Sequence, residues 1–296
     1  MTGNAADADD LVQETFVRAI EHPPRRMDEP LRPWLVRVAI NLSRDLLRRR
    51  RRRSYMGEWL PSPVPTDNED SPASYEPPAP AKDSPATRYE FLESISFAFL
   101  LALEALTPSQ RAVLLLRDVF DYSTAETAAA LDITEANAKV LLLRARRRMQ
   151  EYDKNRASVS PERVEATQHA LEQFLLYLGK GDAEGLERLL AEDVVSISDG
   201  GGVVQAALRP IIGRDKLMRL IFAIDGKLVG TPRVSFRMLN GSPALLFEDV
   251  VSTATRATCY TIHVEVDDAG RIRRLDAVLA PNKLTAISEE TMNAEL

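Results

Sequence analysis

"LTPSQRAVLLLRDVFDYSTAETAAALDITEANAKVLLLRARRRM", residues 106–149, decides the fold of the middle of this chain. Thr107-Pro108 reads as an N-cap followed by a first helical residue, because threonine accepts an orphan backbone N–H and proline has none to lose. "SQRAVLLLRDVF" continues that helix. Ser123 opens a second helix, "STAETAAALD", and Thr134 a third, "TEANAKVLLLRARRRMQEY". Only Asp132-Ile133-Thr134 separates these two, a turn-length connection. Helices joined so tightly have the layout of a helix-turn-helix, whose second helix lies in a major groove and reads base edges from its N-terminal residues. The C-terminal half of that helix carries Arg144, Arg146, Arg147 and Arg148.

Towards the N-terminus, residues 7–21 place Leu11, Val12, Phe16 and Ala19 at helical spacing behind acidic first residues, which suit a helix N-terminus. In "LRPWLVRVAINLSRDLLRRR" one broad face carries Trp34, Leu35, Val38, Leu42, Leu46 and Leu47. Arg37, Asn41, Arg44, Arg48 and Arg51 or Arg52 follow on the other, and Arg48 to Arg53 form an unbroken run of six arginines. A solvated helix end, a nuclear-localisation segment or a lipid-facing patch would carry such charge. With Trp34 and Tyr55 nearby, the stripe also suits single-stranded nucleic acid, which is held by basic grooves with aromatic platforms. From Gly57 to Pro85 eight prolines and several acids leave little to pack, as expected of a linker. Residues 88–106 are helical in pattern.

The chain has 296 residues, beyond a typical single domain, so two or three compact units are expected. Its composition is 45% hydrophobic and 28% charged, that of an ordinary globular protein. No apolar run approaches the roughly 18 residues of a membrane helix, and "MTGNAADADD" is not a secretory signal, so a soluble cytoplasmic protein is expected. Cys259 is the only cysteine, and His22, His169 and His263 are scattered; neither a disulfide nor a metal or cofactor site is expected. The net charge of -6 conceals an asymmetry: residues 1–60 hold 12 Arg against 9 Asp+Glu, while residues 61–106 hold 2 Lys+Arg against 8. Local basic patches bind polyanions even on an acidic protein, since the near field is set within a Debye length of about 10 Å.

Ser160-Pro161 repeats the cap-plus-proline signal before a helix pair, "ERVEATQHALEQFLLYLGKGD" and "AEGLERLLAED". Beyond Val194 the periodicity changes to strands: "VVSISD", "PRVSFRML", "PALLFEDVVST", "ATCYTIHVEVD" and "RIRRLDAVLA". Residues 160–296 therefore read as α+β, helices first and a mostly antiparallel sheet after.

"DADDLVQETFVRA", "RPWLVRVAINLSRDLLRRR" and the opening stretch resemble regions 2 and 4 of extracytoplasmic-function sigma factors. The last part resembles the SnoaL-like, nuclear-transport-factor-2-like cone domain that some of these factors carry fused to region 4. "GEWLPSPV" looks like the WLP motif of that set, "SDGGG" at 198–202 like its DGGG motif and "PNKL" at 281–284 like a variant of its NPDKL motif. The resemblance implies all-α sigma regions followed by an α+β cone: region 2 over 1–57, a Pro-rich acidic linker over 58–85, region 4 over 86–156 and the cone over 157–296. It implies that Asp10, Gln13, Glu14 and Phe16 grip the β′ clamp coiled coil of core RNA polymerase, with the β flap a second contact. Trp34, Arg37, Asn41, Arg44 and Arg48 would recognise and open the minus-10 promoter element; a core role for Phe16 or Trp34 is the alternative. Glu135, Asn137, Lys139 and Val140 would face the minus-35 major groove, with Arg144 and Arg147 on phosphates. Where Leu141 stands, the family often has a polar or basic residue. Region 2 also usually begins with a further helix before "ADADDLVQETF"; the expectation is a start annotated too late or a lost helix.

Cone domains of related cyclases and isomerases use a buried acid as base, and Asp199, Asp215 and Asp249 are the candidates here. Their plainer readings are a turn residue for Asp199, ahead of Gly200, Gly201 and Gly202, and a helix start for Asp215. The reading favoured is a sigma factor without chemistry of its own, tuned by its cone through an intramolecular contact and needing no separate anti-sigma factor. Trp59, Leu60 and Pro61 would form one half of that contact, with Asp199 to Gly202 and Asn282, Lys283 and Leu284 the other. Two alternatives stand: a one-component DNA-binding regulator whose cone binds or turns over a small molecule, and a weakened factor that binds without initiating transcription.

Overall fold

The computed structural model describes residues 1–24, 31–52, 55–66, 96–155, 161–225, 231–248 and 257–287. Internal contacts divide the chain into two units, Met1–Ser54 with Ala98–Arg156, and Tyr55–Phe97 with Ala157–Leu296.

Among the described residues the first unit is all helical: α1 (Ala5–Glu21), α2 (Leu31–Arg52), α3 (Phe97–Leu103), α4 (Pro108–Leu114), α5 (Thr124–Leu131) and α6 (Glu135–Asn155). Local chemistry sets these boundaries. Thr107 caps α4 and Ser123 caps α5, each in a reciprocal box with Gln110 or Glu126 three residues on. Asp132 ends α5 in the left-handed region at φ 54, a conformation that aspartate tolerates better than most residues, and the chain turns into α6. The expected helix-turn-helix is thus present. Ile40 of α2 is buried in one cluster with Ala112, Val113 and Leu116 of α4 and its π-helical extension, and with Ala130 and Leu131 of α5. Leu103, Leu106, Leu114, Ala145 and Met149 form a second cluster.

The second unit opens with α7 (Pro161–Lys180) and α8 (Ala183–Leu189), then β1 (Leu190–Asp199), β2 (Ile211–Ile212), α9 (Arg214–Asp225), β3 (Arg233–Leu239), β4 (Ser242–Glu248), β5 (Tyr260–Val266) and β6 (Ile272–Val278). The six strands run in the order β2-β1-β6-β5-β4-β3, antiparallel except for the β1–β6 pair, which is parallel. One face packs against the helices through Ala170, Leu171, Phe174, Leu186, Leu217, Leu245, Phe247, Ile262, Val264 and Leu275. Strand alternation puts Thr261 and His263 of β5 and Asp276 of β6 on the opposite face, and all three are buried.

Residues 55–66 cover the same face at Asp199, which lies across Val278 from Thr261. They run extended on the second unit and bridge antiparallel to β3 at Pro65 and Leu239. The Val64 N–H donates to Asn240 Oδ1 at 3.1 Å, Asn240 N–H to the Val64 carbonyl at 2.7 Å, and Thr66 N–H to the Met238 carbonyl at 2.9 Å. The expectation that the proline-rich stretch leaves little to pack fails here: Leu60, Pro61, Ser62, Pro63 and Pro65 are buried. Prolines lose little entropy on ordering and bring no N–H that burial would strand, so an extended proline strap is a low-cost cover. Residues 67–85, and the 88–95 part of the expected helix, lie outside the described residues.

Candidate nucleic-acid interface and linker lock

On α1, Asp10, Gln13, Glu14 and Phe16 are exposed, and Glu14 pairs with Arg18 at 2.8 Å. Phe16 is therefore a surface residue, with Val12, Val17 and Ile20 also exposed, the last at 81%. A cleft of about 370 Å³ between α1 and α2 is lined by Asp7, Asp10, Leu11, Glu14, Arg18, Leu42, Leu46 and Arg49. Three acids and two arginines surround a floor of three leucines.

The arginines of α2 divide by partner. Arg37 donates to the Ala129 carbonyl of α5, Arg44 to Ser109 Oγ at 3.3 Å, and Arg48 pairs with Asp45 at 3.3 Å. Burial holds the Arg44 pKa below its usual value, with the Arg48 charge acting in the same direction. Asn41 is exposed and Trp34 half-buried. Arg50 turns inward to Glu104 at 2.6 Å and to the Thr2 carbonyl at 3.1 Å.

A similar division runs along α6. Glu135, Asn137, Lys139, Val140, Arg144 and Arg147 are exposed. Arg146 is held by a fork of two bonds to Asp118, at 2.7 and 3.1 Å, and Arg148 by the Ala105 carbonyl at 2.7 Å. Among the described residues Arg144 and Arg147 have no such partner. Leu141 packs against the Ala112 and Val113 cluster, so its apolar character serves the core.

The second unit gathers the WLP, DGGG and PNKL segments around one carboxylate. Asp199, 1% exposed at the end of β1, accepts Tyr55 O–H at 2.6 Å and Gly201 N–H at 2.9 Å on Oδ1. Its Oδ2 accepts Leu60 N–H at 2.8 Å and Lys283 Nζ at 2.6 Å. Lys283, equally buried, also donates to the Leu60 carbonyl and lies 4.1 Å from the Trp59 ring centre and 5.1 Å from that of Tyr55. Both charges are thus paired and hydrogen-bonded, the condition under which buried ions persist. The Asp199 carbonyl accepts Leu279 and Ala280 N–H, which fixes the turn Pro281–Lys283. Gly200 admits no side chain because a Cβ would lie 2.3 Å from the Val204 carbonyl oxygen, and Gly201 turns the chain at φ 64. Pro61 and Leu284 are buried and Asn282 is exposed.

Asp199 is therefore more than a turn residue, and with both oxygens saturated it has no lone pair to act as a base. Asp215 is exposed on the first turn of α9, and Asp249 lies outside the described residues. Sequence reasoning missed a second buried cluster, His263, Asp276, Arg274 and Phe97. The Phe97 and His263 rings stack with centres 4.2 Å apart, and Arg274 Nε meets Asp276 at 2.7 Å. Burial lowers the His263 pKa to about 3 and, against the attraction of Arg274, raises that of Asp276 to about 6. Polar alternation along "YTIHVEV" was a signal for that face, though not for its cover. Among the described residues no helix is long and apolar enough to cross a membrane, and no group of His, Cys, Asp and Glu could hold a metal.

Residues 1–53 match the family described as sigma-70 region 2, and residues 96–149 that described as sigma-70, region 4. The ECF RNA polymerase sigma factor SigJ of Mycobacterium tuberculosis is 32% identical over 226 residues, 76% of this chain and 67% of that one. SigG of the same organism is 37% identical over 200 residues, and this chain spans 53% of its length. The crystal structure of the Mycobacterium tuberculosis extracytoplasmic function sigma factor SigJ superposes with a TM-score of 0.66 at 26% identity, covering 96% of this chain and 92% of that one. That likeness runs through the sigma helices and the α+β cone alike. With both sigma regions in order and the likeness to SigJ sustained through the cone, the chain belongs to the ECF RNA polymerase sigma factors and has their role.

Proposed function

We propose that this sigma factor binds core polymerase through the exposed face of α1, reads minus-35 DNA with α6 and opens minus-10 DNA with α2. The cone tunes it from within the same chain, in the cytoplasm, without chemistry of its own and without a separate anti-sigma factor. The observation that carries the regulatory part is the Asp199–Lys283 pair, which closes on the Leu60 backbone and so ties the strap leaving region 2 to the cone. Arg37 and Arg44, spent on Ala129 and Ser109 here, would have to leave those partners to meet DNA. The side of the sheet beneath the helices is filled by apolar side chains, which weighs against a catalytic cavity there.

In-vitro transcription with core polymerase on a promoter library tests this, comparing the full chain with versions ending at Arg156 and at Ala280. Promoter-specific transcripts whose yield changes with truncation are expected; absence of transcripts from every version, or of core binding, would sink the reading. On a cognate promoter, Arg144→Gln or Arg147→Gln should weaken binding of all sequences alike and reduce the salt slope by about 1. Asn137→Ala should instead cost about 1–3 kcal/mol at one base position. A uniform loss for Asn137→Ala would remove it from the base-reading set.

A further inference from the structure

We infer that the Phe97–His263 stack is a second, releasable anchor that positions region 4, paired with the permanent lock at Asp199; this rests on the tuning role proposed above. Phe97 is the first residue of α3, the helix with which the region 4 match opens, and Tyr55 follows the end of α2 by three residues. Both side chains are seated on the cone, Tyr55 on Asp199 and Phe97 on His263.

The two seats are close. Asp199 pairs with Val278 and Val278 with Thr261, two strand spacings across, and His263 lies two residues further along β5 on the same face. At about 4.8 Å per strand and 3.4 Å per residue the seats are about 12 Å apart. A free chain of some forty residues has an r.m.s. span of about 35 Å, longer if proline-rich. Two elements some 25 base pairs apart lie roughly 85 Å apart on B-form DNA at 3.4 Å per step. The doubly anchored connector therefore adds to the restraint already set by the contacts of α2 with α4 and α5, and simultaneous contact with both elements requires one anchor to open as well as those contacts to part.

Which one opens follows from their chemistry. The lock is a closed set of charged hydrogen bonds, so breaking it strands two buried ions. The stack joins two uncharged rings on a face where, among the described residues, His263 Nδ1 and Asp276 Oδ1 have no hydrogen-bond partner, so its release strands no ion and lets water reach them. Phe97 and His263 are thus positioning residues for the sigma function.

The test uses the full chain with core polymerase. Phe97→Ala and His263→Ala should raise promoter-specific transcription about 2–10-fold, the range of one aromatic stack, while Phe97→Trp and His263→Phe, which keep two stacked rings, should match the wild type. Chymotryptic cleavage after Phe97 should quicken several-fold in His263→Ala and stay slow in His263→Phe. Equal transcription from all five proteins, or failure of the aromatic replacements to restore wild-type behaviour, overturns the latch. If no protein directs transcripts, the proposed function falls, and cleavage alone decides the stack: unchanged rates in His263→Ala overturn it.

Discussion

Lys283→Met lowers the stability of the second unit by about 3–5 kcal/mol and frees residues 55–66 from the sheet. The ammonium it removes neutralises a carboxylate with no exposed surface to turn to: Asp199 and Lys283 are each 1% exposed. Methionine keeps most of the volume, so the loss is of charge rather than packing. Asp199 would retain three donors, Tyr55 O–H, Leu60 N–H and Gly201 N–H, but two of these come from the strap that the lysine holds down. The Leu60 carbonyl loses its partner as well, and Trp59 and Tyr55 lose the cation between them.

Asp199→Asn in the Lys283→Met background should return about 1–2 kcal/mol, because no ion is then stranded, although an amide N–H would face the Leu60 N–H. Urea unfolding can follow this through Trp59 fluorescence with Trp34, the other of the two tryptophans, replaced by Phe. Hydrogen exchange at the Leu60 and Val64 amides reports the strap directly. A Lys283→Met protein within 0.5 kcal/mol of the wild type, with both amides still protected, would mean that the lock does not hold the linker.

What the sequence disclosed follows from how local each determinant is. The helix-turn-helix was legible because Ser123 with Glu126, Thr107 with Gln110 and the left-handed Asp132 act within four residues of each boundary. The phase of β5 was legible too, since Ile262 and Val264 alternate with Thr261 and His263. That the polar phase is buried was not legible, because its cover comes from residues 55–66 and Phe97, over 150 residues upstream. For the same reason the parallel β1–β6 pairing escaped a reading based on neighbours. Among the arginines, Arg50 and Glu104 are 54 residues apart and Arg146 and Asp118 are 28 apart, so a charge run could not say which members face outward. Leu141, which departs from the family pattern, is explained by its contact with the region-4 core.

Acidification from pH 7.5 to 5 should destabilise Asp276→Asn by about 2 kcal/mol and stabilise His263→Phe by about 1.4 kcal/mol, with the wild type between them, losing about 0.6 kcal/mol. His263 has its pKa lowered from 6.5 to about 3 by burial, so the folded state refuses a proton that the unfolded chain accepts; stability is full above pH 6.5 and falls as pH drops towards 3. Asp276 is opposite in sign. Burial raises its pKa from 3.8 to about 6, so the folded state suffers an ionised carboxyl above pH 6 and regains stability as pH falls towards 4. The two windows overlap between pH 4 and 6, and their effects oppose. Arg274 beside Asp276, Glu265 across from Arg274 on β5 and Glu58 on the strap supply the surrounding charge, and the Phe97 ring covers His263 without adding any. Urea titrations at the two pH values, read through Trp59, measure each slope. Variants that track the wild type would mean that water reaches this face. A wild type that loses a full 2 kcal/mol would mean that Asp276 stays ionised at pH 5, held by Arg274 more strongly than burial opposes. A wild type that loses well under 1 kcal/mol while the variants move in opposite directions would make the histidine–aspartate pair the reason that a polar, buried sheet face keeps its cover across this pH range.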